Sequence, residues 1–97
     1  MSNKYILDGH KAVKANLKKW AKWYETTDRQ VAMDIIVNIS VSTVFLGLDH
    51  SFGDGPPLLF ETRVFGGALD QEQERYTTWE QAEAGHKEMV KRVLEAL

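Results

Sequence analysis

The chain has 97 residues, 43% of them hydrophobic and 27% charged, which is enough for a single domain over 1–97 with one core and too little for two. It contains no cysteine, so disulfides, thiolate nucleophiles and cysteine-based zinc sites are excluded. The net charge of −2 conceals an asymmetry: residues 1–29 carry seven Lys and Arg against three acidic side chains, and the remainder carries five against eleven, opposed halves able to steer a charged ligand or a second copy.

The amino terminus, MSNKYILDGHK, lacks the apolar stretch of a signal peptide, and no apolar run approaches the roughly 18 residues needed to span a bilayer. A cytoplasmic protein that does not enter membranes is expected. In KYILDGHKAV the pair Asp8-Gly9 separates two short apolar runs and predicts a small hairpin. Asn16 then supplies an N-cap for LKKWAKWYETT, where Leu17, Trp20, Ala21 and Tyr24 share one helical face and Lys18, Lys19 and Lys22 the opposite one. Trp23 falls on the border between them.

The β-branched run QVAMDIIVNISVSTVFLGLD is extended, either as two strands with a turn at Val37-Asn38 or as one long strand, since valine is poorly suited to the positive φ such a turn demands. HSFGDGPP is a loop of turn formers, LLFETRVF a strand pairing antiparallel with the preceding one, and GGALDQEQER a polar loop. YTTWEQAEAGHKEMVKRVLEAL is a helix opened by Thr77 or Thr78, with Glu80 or Gln81 completing a capping box and an apolar stripe of Trp79, Ala82, His86, Met89, Val90, Val93 and Leu97. The expected class is α+β: an antiparallel sheet of three to five strands, in the order ββαβββα, packed with two helices.

Side chains alternate along strands, so pairing Val41–Asp49 with Leu58–Phe65 leaves only the parity of the register to choose. One parity gathers Val44, Leu46 and Leu48 with Leu58, Phe60, Thr62 and Val64 on a dry face. The other would set Glu61 and Arg63 among three aliphatic residues, where desolvating the charges costs several kcal/mol. The first parity is therefore expected. It leaves Phe45, Asp49, Leu59, Glu61, Arg63 and Phe65 on a mixed face that a second copy would cover, so a homodimer or higher closed oligomer is expected with those six residues in or beside the interface.

The three histidines, His10, His50 and His86, lie on separate elements, no HExxH pair occurs and DHSFGDG lacks the oxygen spacing of a calcium loop, so neither a metal nor another cofactor is expected. His86 lies mid-stripe on the carboxy-terminal helix, either as a satisfied core residue or projecting into a pocket as an acid, base or phosphate donor. No nucleophile accompanies it, and no catalytic residue is assigned. Gly66-Gly67 is not followed directly by a helix and reads as a turn or bulge. The amino-terminal helix offers lysines on one side with Trp23 at the edge and Arg29 just after, the means by which bases are stacked and phosphates neutralised. Duplex nucleic acid is not expected, because no recognition helix or arginine-rich stripe is present.

VSTVFLGLDHSFGDGPPLLFETRVFGG followed by YTTWEQAEAGHKEMV, together with KYILDGHKAV and WAKWYETTDR, resembles a widespread family of small phage, prophage and bacterial proteins. Relatives typically have a Gly-Asp type turn where this chain has Val37-Asn38, and often methionine in place of Arg63. The resemblance implies a phage-linked accessory protein working in the bacterial cytoplasm and carries no activity with it. Two function classes follow. One is a binding protein that sequesters a nucleotide-like anion, such as a host immune signal, with Trp23, Lys19, Lys22, Arg29, His50, Arg63 and His86 lining or bordering the site. The alternative is an interaction module that grips a host or phage protein without a small ligand. An enzyme acting on a nucleotide is weaker than either, since no acid–base pair can be assembled from the spacing.

Overall fold

The computed structural model describes residues 3–97; the first two residues of the amino-terminal reading lie outside it. The elements are β1 (Tyr5–Asp8), β2 (Lys11–Lys14), α1 (Leu17–Thr26), β3 (Gln30–Ile36), β4 (Ile39–Phe45), β5 (Phe60–Phe65), β6 (Gln73–Tyr76) and α2 (Trp79–Glu95). β1 and β2 form a two-stranded sheet, and β3-β4-β5-β6 an antiparallel four-stranded one, in sequence order throughout. The class is α+β as expected, with one strand more: Gln73–Tyr76, within the segment read as a polar loop, pairs with β5. Its sequence QERY has no β-branched residue, so its extended form comes from the partner strand rather than from propensity.

α2 covers one face of the larger sheet. Thr78 caps it by accepting from Gln81 N, while the Gln81 side chain accepts from the Thr77 and Thr78 amides, a complete capping box. Ala82, His86, Met89 and Val93, at helical spacing, are its buried residues. Two apolar clusters result. Ile39, Val41, Val64, Met89 and Val93 fill one end, and Phe45, Leu59, Phe60 and Ala82 the other, where the β1–β2 hairpin and Trp23 complete it.

The register corrects the expected parity by one residue. Phe45 pairs with Phe60, Thr43 with Thr62 and Val41 with Val64, so Val41, Thr43 and Phe45 face α2, while Ser40, Ser42 and Val44 share the open face with Phe65, Arg63 and Glu61. Of the three aliphatic neighbours feared for Glu61 only Val44 stands beside it, because β4 ends at Phe45 and Gly47, at φ +77°, turns the chain away. Leu46 and Leu48 thus lie beyond β4, Leu48 bridging Lys4 instead, and Ser40 and Ser42 share the open face with Val44. Arg75 on β6 then pairs with Glu61 at 2.9 Å, supplying the counter-charge that a loop reading of this segment could not foresee. Phe45 and Leu59, expected at an interface, are fully buried in the chain's own core.

α1 sits beside this end of the sheet. Asn16 Oδ1 accepts from Lys19 N as the N-cap. Trp20 Nε1 donates to the Gly47 carbonyl at 2.9 Å, and a Cβ on Gly47 would lie 3.2 Å from Trp20 and Tyr24, so the left-handed turn and the close helix approach both select glycine. The face of α1 turned inward is therefore Trp20, Trp23 and Tyr24, with Leu17 63% exposed, instead of the expected stripe.

β3 and β4 are joined through Val37-Asn38, and Val37 adopts φ +59° while its side chain is 82% exposed. A positive φ at the first of two loop residues is where glycine belongs in a hairpin. For a β-branched residue this conformation costs about 1–2 kcal/mol. Val37→Gly is expected to stabilise the monomer by about 1 kcal/mol net of glycine's greater freedom when unfolded, a rise of about 5 °C in melting temperature by calorimetry at low protein concentration.

Candidate functional site: a cleft between the first hairpin and α2

The β1–β2 hairpin is pinned beside the sheet by backbone bonds from Tyr5 N to the Gly47 carbonyl and from Asp49 N to that of Asn3. Its two-residue loop is Gly9-His10, with Gly9 at φ +62°. That turn lays the His10 ring flat against Trp79, the first residue of α2, with centroids 3.9 Å apart and planes within 6°. Trp79 in turn meets the edge of Phe60. Between the hairpin, the Pro57–Phe60 segment and the start of α2 opens a cleft of about 510 Å³. Tyr5, Ala12, Pro57, Leu59 and Phe60 give it an apolar wall, and Asp8, Lys11, Thr77, Thr78 and Glu80 a polar rim.

Two details bear on its chemistry. Trp79 Nε1 is buried and has no hydrogen-bond partner among the described residues. An orphaned buried donor costs about 1–3 kcal/mol, so Trp79 holds its place against that penalty. Trp79 and Glu80 also open α2, so their amides have no carbonyl behind them within the helix.

The residues expected to bind a ligand are not brought together. Trp23 turns inward, its ring edge-on to Phe45 at 5.6 Å. Arg29 Nη1 donates to the Phe45 carbonyl, and its guanidinium lies 4.0 Å above the Tyr24 ring. Lys19 and Lys22 stand exposed on the outer side of α1. Arg63 occupies the open sheet face, donating through Nη2 to Gln73 and lying 3.3 Å from Glu61, close enough for an ion pair while its Nε lacks hydrogen-bond geometry. His50 Nδ1 donates to the Leu48 carbonyl.

His86 is 3% exposed and sits on the other side of the sheet from Arg63. Its Nε2 lies 2.7 Å from Asp34 Oδ2 and its Nδ1 2.7 Å from Thr43 Oγ1; Thr43 Oγ1 lies 2.5 Å from Thr62 Oγ1, which accepts from the Tyr76 hydroxyl at 3.2 Å. The line takes one residue from each strand of the larger sheet and one from α2. A carboxylate only accepts, so Nε2 carries the proton toward Asp34. In the neutral ring Nδ1 then accepts from Thr43, Thr43 from Thr62 and Thr62 from Tyr76, each threonine hydroxyl donating once and accepting once. Burial pushes the Tyr76 phenol above its ordinary pKa, which keeps it a donor. Asp34, His86 and Thr43 have the connectivity of a hydrolytic triad, but Thr43 is wholly buried, out of reach of any substrate. The arrangement is a polar seam between the two apolar clusters.

Asp49 has a structural part. Its Oδ1 accepts from the Ser51 and Leu58 amides and pinches the neck of the loop between β4 and β5. The Ser51 amide foremost, then the Ser51 hydroxyl and the Leu58 amide, hold its carboxyl below the usual range against partial desolvation. A depressed folded pKa gives stability that is present above the unfolded value and lost as pH falls through the folded one. In Asp49→Asn, that part of the acid-side stability loss is expected to disappear, and amide exchange at Ser51 and Leu58 to become nearly independent of pH below 4 once corrected for intrinsic rates (about the unperturbed Asp pKa).

Among the described residues no three His, Asp or Glu side chains are gathered as a metal site, and no helix is long and apolar enough to cross a membrane. The cleft residues escaped the sequence reading because His10 and Trp79 are far apart in the chain, and Trp79 read only as part of the apolar stripe of its helix. Comparison with protein-family models, with curated proteins and with solved structures gives no match.

Proposed function

We propose that this chain is a small-molecule-binding protein whose ligand is a planar, nucleotide-like anion held in the cleft between the β1–β2 hairpin and α2. The observation that carries this reading is an open cleft of about 510 Å³ with a flat aromatic wall made by His10 and Trp79. That volume falls within the range of small-ligand sites, and every base offers a face to stack. Lys11 and the free Trp79 and Glu80 amides favour a phosphate, while Asp8 and Glu80 are acceptors for amino or ribose hydroxyl hydrogens. The phage-linked setting implied by the resemblance makes a host immune signal of nucleotide type the first class to try.

Thermal shift against mono-, cyclic and oligonucleotides tests it. Ligand at a hundred times its dissociation constant adds about 2.7 kcal/mol by mass action, of order 10 °C for a domain this small. The shift is expected to vanish in His10→Ala and to shrink in Lys11→Glu, both at exposed positions. No shift with any nucleotide would sink the reading, and conversion of the ligand would make the protein an enzyme. A second reading, a module that grips another protein, is favoured by Phe52, which is 97% exposed on the loop pinched by Asp49. An aromatic held in water at a loop tip is the form of an interface anchor.

A further inference from the structure

Exposed apolar side chains are concentrated at the end of the molecule farthest from the cleft. Val37 is 82% exposed, Ile35 71%, Met33 48% and Phe65 45%. The register explains the grouping: Ile35, Ser40 and Phe65 form one row across β3, β4 and β5 on the open face, Met33 lies in the next row, and Val37 stands at the hairpin tip. Together the four expose on the order of 500 Å², at the upper end of the largest patch on an ordinary monomer. Val37 adds a separate sign, since a β-branched residue at positive φ with its side chain in water is unfavourable twice over in the isolated chain.

We infer that this end of the open face is the contact of a homodimer formed about a twofold axis near Ser40. The row is large, small, large, so Ile35 and Phe65 of one copy can seat on either side of Ser40 of the other, as an isologous contact requires. It also carries no charge. The charged row of Glu61 and Arg75 lies two steps away, so a twofold at Ser40 brings the apolar rows together while keeping the two sets of arginines apart. The nearest charge, Arg63 in the neighbouring row, is already engaged by Glu61 and Gln73, which leaves little for a charged partner to grip. The patch, with the flanking Ser42 and Arg63, comes to about 600 Å², short of the roughly 800 Å² per partner of a standard interface, which places the dimer among the weak, concentration-dependent ones. Pairing edge to edge through β3 is opposed by the bulge between Gln30 and Ala32 and by Asp34, charged and mid-strand.

Sedimentation velocity over a wide concentration range tests this. The wild type is expected to move from the mass of one chain, 11.1 kDa, to twice that value as concentration rises. Ile35→Lys should raise the dissociation constant at least tenfold with its circular dichroism and low-concentration melting temperature unchanged. Leu17→Lys, an exposed position at the opposite end, should leave it as it is. Val37→Gly separates the roles of its residue, for it should strengthen the monomer and weaken the dimer. A protein monomeric at every concentration, or a dimer indifferent to Ile35→Lys, would overturn the inference.

Discussion

Phe45→Ala is expected to destabilise the fold by about 3–5 kcal/mol, the usual cost of emptying a buried phenylalanine site. Phe45 is wholly buried, and its ring packs edge-on to Trp23 at 5.6 Å and tilted against Phe60 at 5.1 Å, so α1 loses its hold on the sheet together with the core contact. Against a total of about 5–15 kcal/mol for a domain, this removes a large part of the stability, and the melting temperature should fall by of order 20 °C. The measurement separates two roles for the residue. A core Phe45 gives the same loss at every protein concentration, whereas an interface Phe45 gives a loss that appears only where the oligomer is populated. Phe65→Ala is the comparison: at 45% exposure it should cost less than about 1 kcal/mol in the monomer and act mainly on association. A small effect of Phe45→Ala on a dilute sample would mean that the parity expected from the sequence was right after all.

The misplacement of Phe45 has a traceable cause. Elements whose own residues carry the signal were legible: Asp8-Gly9 marked the first hairpin, one residue short of its Gly9-His10 loop, Asn16 the start of α1, and of the two caps offered for α2 the structure takes Thr78 with Gln81, with Ala82, His86, Met89 and Val93 the buried part of its stripe. β6 was not legible, because QERY becomes a strand only when β5 offers its edge. Without β6 there was no Arg75 beside Glu61, so the pairing that buries Phe45 seemed to strand a carboxylate among aliphatic side chains. One unseen strand thus moved the apparent interface by one residue. The cleft failed for a related reason. Its stack needs a turn from the start of the chain and a helix from the far end, and no local pattern reports that meeting. The apolar character of the open face nevertheless survives the change of register, with Ile35, Met33 and Phe65 in place of Phe45 and Leu59.

His86→Ala is expected to cost about 3–4 kcal/mol, because it leaves both a cavity and an unpartnered Thr43 hydroxyl deep between the two apolar clusters. The more informative experiment is a cycle in urea. His86→Leu fills the space and leaves the Thr43 hydroxyl without an acceptor, whereas Thr43→Val alone strands both the ring nitrogen and the Thr62 hydroxyl, so the second change should cost about 1–2 kcal/mol less in the background of the first than alone. If the imidazole served only to fill volume, His86→Leu would be neutral and the effect of Thr43→Val would be the same in both backgrounds. If it served a ligand, the variants would lose the nucleotide-induced thermal shift while keeping their own melting temperature. The geometry favours the first outcome, since the ring has Asp34 on one nitrogen and Thr43 on the other and no face open to the cleft. Each of the four strands contributes one partner to this line, so the ring measures the register of the whole sheet: a slip of one residue would carry Thr43 to the open face and leave His86 with nothing to bond.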